Sequence, residues 1–320
     1  MSLLSLLIAL MAEKSLSSSV WCFDYYYQKY VDFFYKNTFI TKFNNNNLSH
    51  ALFIVCPVVL VYCVLSVVGN GLLHLIISTL ILIVTIGCVT IRKSYKQYLH
   101  AAFNGDTTTA ELHHQQLLQD KNLPSMSFGQ ALIWLNYRYY IAIMLFFIIF
   151  GAVGAVFYRL LTSIVEQQNK KALDTTLDNN NSDGVVQAET AQEIMAHQAS
   201  ADHDLSTSQE ETVDYLPQSN SNTYQNILFY LDWLPVRFTS FGYMFVGHFS
   251  KAFPMWLEDL FDAKKPAHEI LIDVAEKSED IMLDNDDCTA EPCLLVRLAK
   301  RNLLLVLAFI AVLTLIGLVN

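Results

Sequence analysis

The chain is 320 residues long, with a formal net charge of −10, 53% hydrophobic residues and 16% charged ones. Soluble domains carry roughly 25% charged residues, so this composition belongs to a protein with much of its surface in lipid. The acidic balance provides no basic field to attract nucleic acid, and that partner class is excluded.

Residues 3–12 (LLSLLIALMA) have the length of a signal-peptide core. No Lys or Arg precedes them, and Glu13-Lys14 stands where small residues would mark a cleavage site, so they are expected to form a retained, shallowly buried helix. Residues 1–50 as a whole read as N-terminal interfacial helices. Trp21, Tyr25, Tyr26, Tyr27, Phe33, Phe34 and Tyr35 mix with Lys29, Lys36 and Lys42. That composition suits a belt at the level of the lipid headgroups, or aromatics packing onto the protein's own helices.

Four uncharged apolar runs follow, at 51–68, 72–91, 139–158 and 303–319. At about 1.5 Å of rise per residue, each is near the ~20 residues that cross a hydrocarbon core. Backbone groups in lipid must be satisfied within the segment, so such continuous runs are helices. The first two are joined only by Gly69-Asn70-Gly71 and form a transmembrane hairpin over 51–91. Lys36 and Lys42 precede this hairpin and Arg92, Lys93 and Lys96 follow it. The positive-inside rule then makes 92–138 a cytoplasmic loop, with a helix near 109–119, and 139–161 the third span.

Residues 172–222 contain ten Asp or Glu and no Lys or Arg. Such a stretch buries too little apolar area to offset its ordering entropy, so 166–224 reads as a disordered acidic insert that the fold does not need. Next comes 226–260, an amphipathic or re-entrant helix, in which Asp232 stands three residues before Pro235 as an N-cap would. Arg237, Phe241, Met244 and His248 recur there at helical spacing on one face, and Gly242 and Gly247 would permit close helix approach. A polar linker over 261–301 leads to the last span, 302–319.

Cys56, Cys63 and Cys88 lie in spans, and the C-T-A-E-P-C spacing of Cys288 and Cys293 has no CxxC or His beside it. Two free thiols are expected, with no metal and no cofactor. No Walker A, GxGxxG, HExxH or GxSxG motif is present, so nucleotide and hydrolase chemistry have no signature.

The blocks ALIWLNYRYYIA (131–142) and LDWLPVRF (231–238), with Glu13 near the start and Gly247-His248 downstream, resemble the AmpE family of Gram-negative inner-membrane proteins associated with β-lactamase induction. That family is distantly similar to the CobD/CbiB amide synthases of cobalamin assembly, whose N-x-x-P-A-R-L block is echoed by 232–238. The acidic stretch those synthases carry before an apolar span is replaced here by Trp134-Leu-Asn-Tyr-Arg-Tyr-Tyr. The carboxylates that would clamp an activated phosphorylated acyl group are thus missing.

The chain therefore reads as an all-α polytopic membrane protein, multi-pass in a bacterial inner membrane. It has about four transmembrane helices, an amphipathic or re-entrant helix and a disordered acidic insert. The resemblance implies a non-enzymatic signalling modulator. A pocket of Asp106, Asn136, Arg138, Arg159, Asp232, Arg237 and His248 is expected to take an anionic cell-wall-derived or phosphorylated ligand, with the lipid bilayer as the other partner. The alternatives are that Arg138 and Arg159 are snorkelling anchors, that the chain is a membrane transferase, or that it is a scaffold without a ligand.

Overall fold

A computed structural model describes residues 2–16, 21–36, 46–69, 71–87, 89–189, 221–262, 264–279 and 289–317, and these are helical apart from short connections. Helix α1 (Ser2–Ser15) lies against α4 (Leu72–Thr85), with Leu6 and Ala9 fully buried. Helix α2 (Phe23–Lys36) turns Tyr27, Val31 and Phe34, spaced i, i+4, i+7, onto α3 (Asn46–Val68), where Phe34 meets Phe53 edge-on with ring centroids 5.0 Å apart. The N-terminal aromatics thus divide: these pack on the protein itself, whereas Tyr25, Tyr26 and Phe33 face outward.

Among the described residues three helices are long and apolar enough to cross a membrane, Ala51–Val68, Phe128–Lys171 and Ala290–Leu315. The run at 72–91 is not one straight span. It is α4 and α5 (Val89–Phe103), bent by 44° at a short break, and counts as a fourth crossing only if the bent pair is one. Gly87 sits in the break with φ +79°, a conformation open to glycine at little strain. Its N–H donates to the carbonyl of Tyr139 at 3.0 Å, which meets the need to satisfy broken backbone at membrane depth.

The run at 139–158 also departs from a single span. Helix α7 (Phe128–Asn136) passes through one widened turn into α8 (Ala142–Glu189), and at Gly151 (φ +67°, ψ −160°) the chain leaves helical geometry. Residues twelve apart in a straight helix are about 18 Å apart, yet the Phe146 and Tyr158 rings stack at 4.8 Å. A Cβ on Gly154 would lie 2.5 Å from the Phe146 carbonyl oxygen, and the Tyr139 hydroxyl donates to Glu166 at 2.9 Å. The two arms therefore run back along each other, and Gly151 is the tip of a helical hairpin with Ile149 and Phe150 exposed beside it.

Helix α8 continues through Glu189, so the start of the acidic stretch prolongs a helix rather than beginning at 166; residues 190–220 lie outside the described residues. The 226–260 segment is two helices, α9 (Ser221–Val246) and α10 (Phe249–Phe261). Asp232 is consequently no N-cap: the helix starts eleven residues earlier, and both Asp232 and Pro235 are interior to it and buried. The 92–138 loop is largely α5, α6 (Thr107–Lys121) and α7. The polar linker is also largely helical, because α11 (Ala267–Ser278) buries Ile270, Leu271, Val274 and Ala275 at i, i+1, i+4, i+5, and α12 (Ala290–Leu315) begins well before 302.

Gly242 does bring helices together. A Cβ there would collide with the side-chain oxygen of Asn302 on α12, whose amide donates to the Thr239 carbonyl at 3.1 Å. Gly242→Leu is expected to force α9 off α12 and destabilise by about 1–3 kcal/mol, the usual penalty of overpacking. The check is unfolding temperature in detergent; an unchanged value would show that the two helices separate freely.

Candidate functional site: an ionic hub on a widened turn

Ser127 starts α7 with a capping box: its hydroxyl accepts from the Gln130 N–H at 3.2 Å, and the Gln130 side chain accepts from the Ser127 N–H at 2.8 Å. At the end of α7 the Ala142 N–H bonds the Tyr137 carbonyl, an i to i−5 bond that makes 137–141 a π-turn. Such turns insert one extra residue and are common at functional sites. Here the extra residue spreads Tyr137, Arg138, Tyr139 and Tyr140 toward different neighbours.

Tyr137 and Tyr158 both donate to Asp232 Oδ1, at 2.7 and 2.8 Å. The Tyr139 hydroxyl donates to Glu166 at 2.9 Å and receives Lys121 Nζ at 2.6 Å, with Lys121 and Glu166 3.8 Å apart. Arg159, 2% exposed, lies with its guanidinium 4.3 Å from the Tyr139 ring centroid and 5.4 Å from that of Phe23, and it bridges to Asp24 at 3.0 Å. Tyr140 donates to Glu13 at 3.0 Å, and Glu13 pairs with Arg92 at 3.2 Å. Arg138 stacks on Trp134, guanidinium carbon 4.9 Å from the ring centroid, and among the described residues its buried Nε has no hydrogen-bond partner; neither has the buried Asn136 Oδ1. Three cations (Lys121, Arg138, Arg159) thus gather around three carboxylates (Asp24, Glu166, Asp232), and helices α2, α6, α7, α8 and α9 all contribute. Buried charge of this kind is stable only when paired and hydrogen-bonded, and it marks function when it lies in a membrane protein.

Of the residues singled out in the sequence, Arg138, Arg159 and Asp232 belong to this hub, with Asn136 on the turn before it. Asp106 does not. It caps α6, taking two hydrogen bonds from Thr109 that hold its exposed carboxyl below the ordinary range. Arg237 is a clamp elsewhere: its guanidinium donates to the carbonyls of Leu260 (2.9 Å), Trp233 (2.9 Å), Asp259 (3.3 Å) and Asp262, closing the C-terminal end of α10. His248 is exposed at the junction of α9 and α10, where its backbone N–H bonds the Ser278 carbonyl at 2.7 Å. The tyrosines, Lys121 and Glu166 went unread as site residues, because an uncharged ring in an apolar run looks like core and Glu166 sits at the edge of the acidic stretch. Among the described residues, no three His, Cys, Asp or Glu side chains converge as a metal site would need, and Cys293 carries a free thiol; Cys288 lies outside the described residues.

Two titratable groups border the hub. Burial pushes the Glu13 carboxyl up, against the opposing pull of Arg92 and the Tyr140 hydroxyl. His268, edge-on to Trp134 at 5.8 Å, is pushed down by burial, with Glu269 opposing and Arg138 adding to the shift. A His with a depressed folded pKa disfavours the folded state once the unfolded chain takes up a proton. Stability should therefore be full above the ordinary value of 6.5 and fall as the pH drops below it toward the folded value. His268→Gln is expected to flatten that acid limb in detergent melts recorded as a function of pH. An identical limb in the variant would assign it to other groups.

A family model described as "Regulatory signalling modulator protein AmpE" matches residues 1–187 and 214–319, omitting only 188–213 within the acidic stretch and the final residue. The chain is also similar to Protein AmpE of Shigella flexneri, 25% identical over 251 residues, which is 76% of this chain and 74% of that protein. No solved structure matches. The matched residues take in the whole of the hub, from Asp24 through the π-turn to Asp232, and the chain belongs to the AmpE family of regulatory signalling modulators.

Proposed function

We propose that this protein is a non-enzymatic signalling modulator of the bacterial inner membrane, linked to β-lactamase induction and envelope sensing. The regulatory role attached to the family supports the signalling part. The observation that carries a sensing role for the hub is Arg138, a cation on the π-turn whose Nε finds no acceptor among the described residues. A guanidinium with a spare donor is the group that an anionic, cell-wall-derived or phosphorylated ligand would engage. Such a ligand would compete with Asp232 and Glu166 for the nearby cations and so bias the packing of α7, α8 and α9. In this reading the 92–138 segment faces the cytoplasm, as Arg92, Lys93 and Lys96 indicate.

Asp24, Glu166 and Asp232 each already accept from a hub side chain, which favours a relay over a transferase needing open carboxylates. Deleting the gene and measuring β-lactamase induction and cobamide synthesis in parallel tests the choice. Altered induction with unchanged cobamide supports the modulator. Loss of cobamide synthesis with normal induction would support the transferase instead.

A further inference from the structure

Helix α10 presents an unpartnered apolar face. Phe249, Phe253, Leu257 and Phe261 recur every fourth residue and are all exposed, Phe261 to 81%. At 100° per residue they cover an arc of about 120°. Lys251 and Glu258, also exposed, fall on the arc beyond it, while Ala252 and Asp259 turn inward and are buried. The helix therefore has three faces, one packed, one apolar and open, and one charged and open. A solvent-exposed helix in a soluble protein does not leave four large apolar side chains in a row.

This face does not stand alone. Trp256 of α10 lies 5.3 Å from Phe241 of α9, which stacks on Phe245, and both phenylalanines are exposed. On the same helix Phe238 meets Phe309 of α12 at 5.4 Å, and α12 is one of the apolar, membrane-length helices, with Phe309 and Val312 on its outer surface. The α10 face is thus continuous with the exposed apolar surface of a helix long and apolar enough to cross a membrane. Its orientation is fixed: the Arg237 clamp ties the C-terminal carbonyls of α10 to α9, the Trp256 indole N–H donates to the Arg237 carbonyl at 3.2 Å, and Lys265 links the buried Asp259 to Asp273 on α11 at 2.8 and 2.6 Å.

We propose that α10 is a membrane-interface helix that lays Phe249, Phe253, Leu257 and Phe261 into the phospholipid bilayer, with Lys251 and Glu258 in water. Arg237 and Lys265 hold it at that depth. The geometry has the marks of interfacial binding, an apolar arc opposite a charged one on a helix too short and too charged to span. Charged residues on the outer arc keep α10 out of the hydrocarbon core, since Lys or Glu facing lipid at depth is costly.

The test uses the full chain in phosphatidylglycerol–phosphatidylcholine vesicles, with its native cysteines replaced and single cysteines introduced by Phe253→Cys, Leu257→Cys, Lys251→Cys and Glu258→Cys. Each is labelled with bimane and quenched either by brominated lipid or by aqueous iodide. Positions 253 and 257 should be quenched severalfold more by brominated lipid than 251 and 258, with the order reversed for iodide. Iodide quenching of all four positions would show that the helix lies in water and would overturn the proposal. Shielding of 253 and 257 from both quenchers would also overturn it, because a second copy or another protein would then be covering the face. All four side chains are exposed, and a labelled variant whose unfolding temperature matches that of the unlabelled protein reports on the native fold.

Discussion

Asp232→Leu should sharply reduce the amount of folded protein. The carboxylate is 2% exposed and takes hydrogen bonds from Tyr137 and Tyr158, with Arg138 among the charges around it. Removing it leaves two buried hydroxyls without an acceptor and a buried cation with less compensation, a change of the kind that costs about 3–5 kcal/mol. Asp232→Asn keeps an oxygen for the tyrosines and loses only the charge, so its penalty should be clearly smaller, about 1–3 kcal/mol. Thermal unfolding in detergent, followed by size-exclusion of the surviving monodisperse protein, separates the two. A leucine variant as stable as the natural chain would mean that the Asp232 cluster does not hold α9 against α7 and α8.

Gly151→Val should be nearly as damaging for a different reason. A backbone at φ +67° and ψ −160° is one that essentially only glycine adopts, and forcing a β-branched residue into it costs about 1–3 kcal/mol before any packing is lost. The larger consequence is geometric. If 142–160 straightens, Tyr158 leaves Phe146 and Glu166 leaves Tyr139, so the hub loses one of its walls. The expected result is a lower unfolding temperature together with loss of cross-linking by a short bifunctional thiol reagent between cysteines placed at 146 and 158, a reaction expected to be efficient in the Gly151 background. Efficient cross-linking in the valine variant would contradict the hairpin.

How much of this was legible in the sequence depends on what kind of signal each feature leaves. The apolar runs at 51–68 and 303–319 announce themselves by composition: the first lies within α3, and the second is helical on α12 as far as Leu315. The runs at 72–91 and 139–158 look equally continuous, but composition carries no information about direction. A single glycine, Gly87 in one and Gly151 in the other, bends or reverses the chain without changing the hydropathy of its neighbours. Asp232 was singled out for the wrong reason. Its spacing to Pro235 imitates a helix start, whereas tertiary pairing with two tyrosines places it in mid-helix.

Arg138 and Arg159 stand out because they bound the apolar run 139–158, where a guanidinium near lipid depth needs partners. Their partners come from elsewhere in the chain, Asp24 and Tyr139 for Arg159 and Asp232 and Glu166 around Arg138, so no local pattern reveals them. Arg237 shows the converse. It shares with Arg138 the character of a cation in an apolar setting, but the carbonyls at the end of α10 occupy its donors, and only the fold tells a clamp from a receptor.

In the proposed function the Arg138 guanidinium on the π-turn is the element through which this modulator responds to its signal. The most direct measurement is β-lactamase induction in cells carrying Arg138→Lys at membrane abundance matched to the natural protein. Lysine keeps the charge among Asp232 and Glu166 but lacks the planar fork and stacks poorly on Trp134. The prediction is that the variant accumulates in the membrane and unfolds at a similar temperature while induction departs severalfold from that of the natural protein. Induction indistinguishable from the natural protein at equal abundance would contradict the claim and leave the hub as a structural bolt.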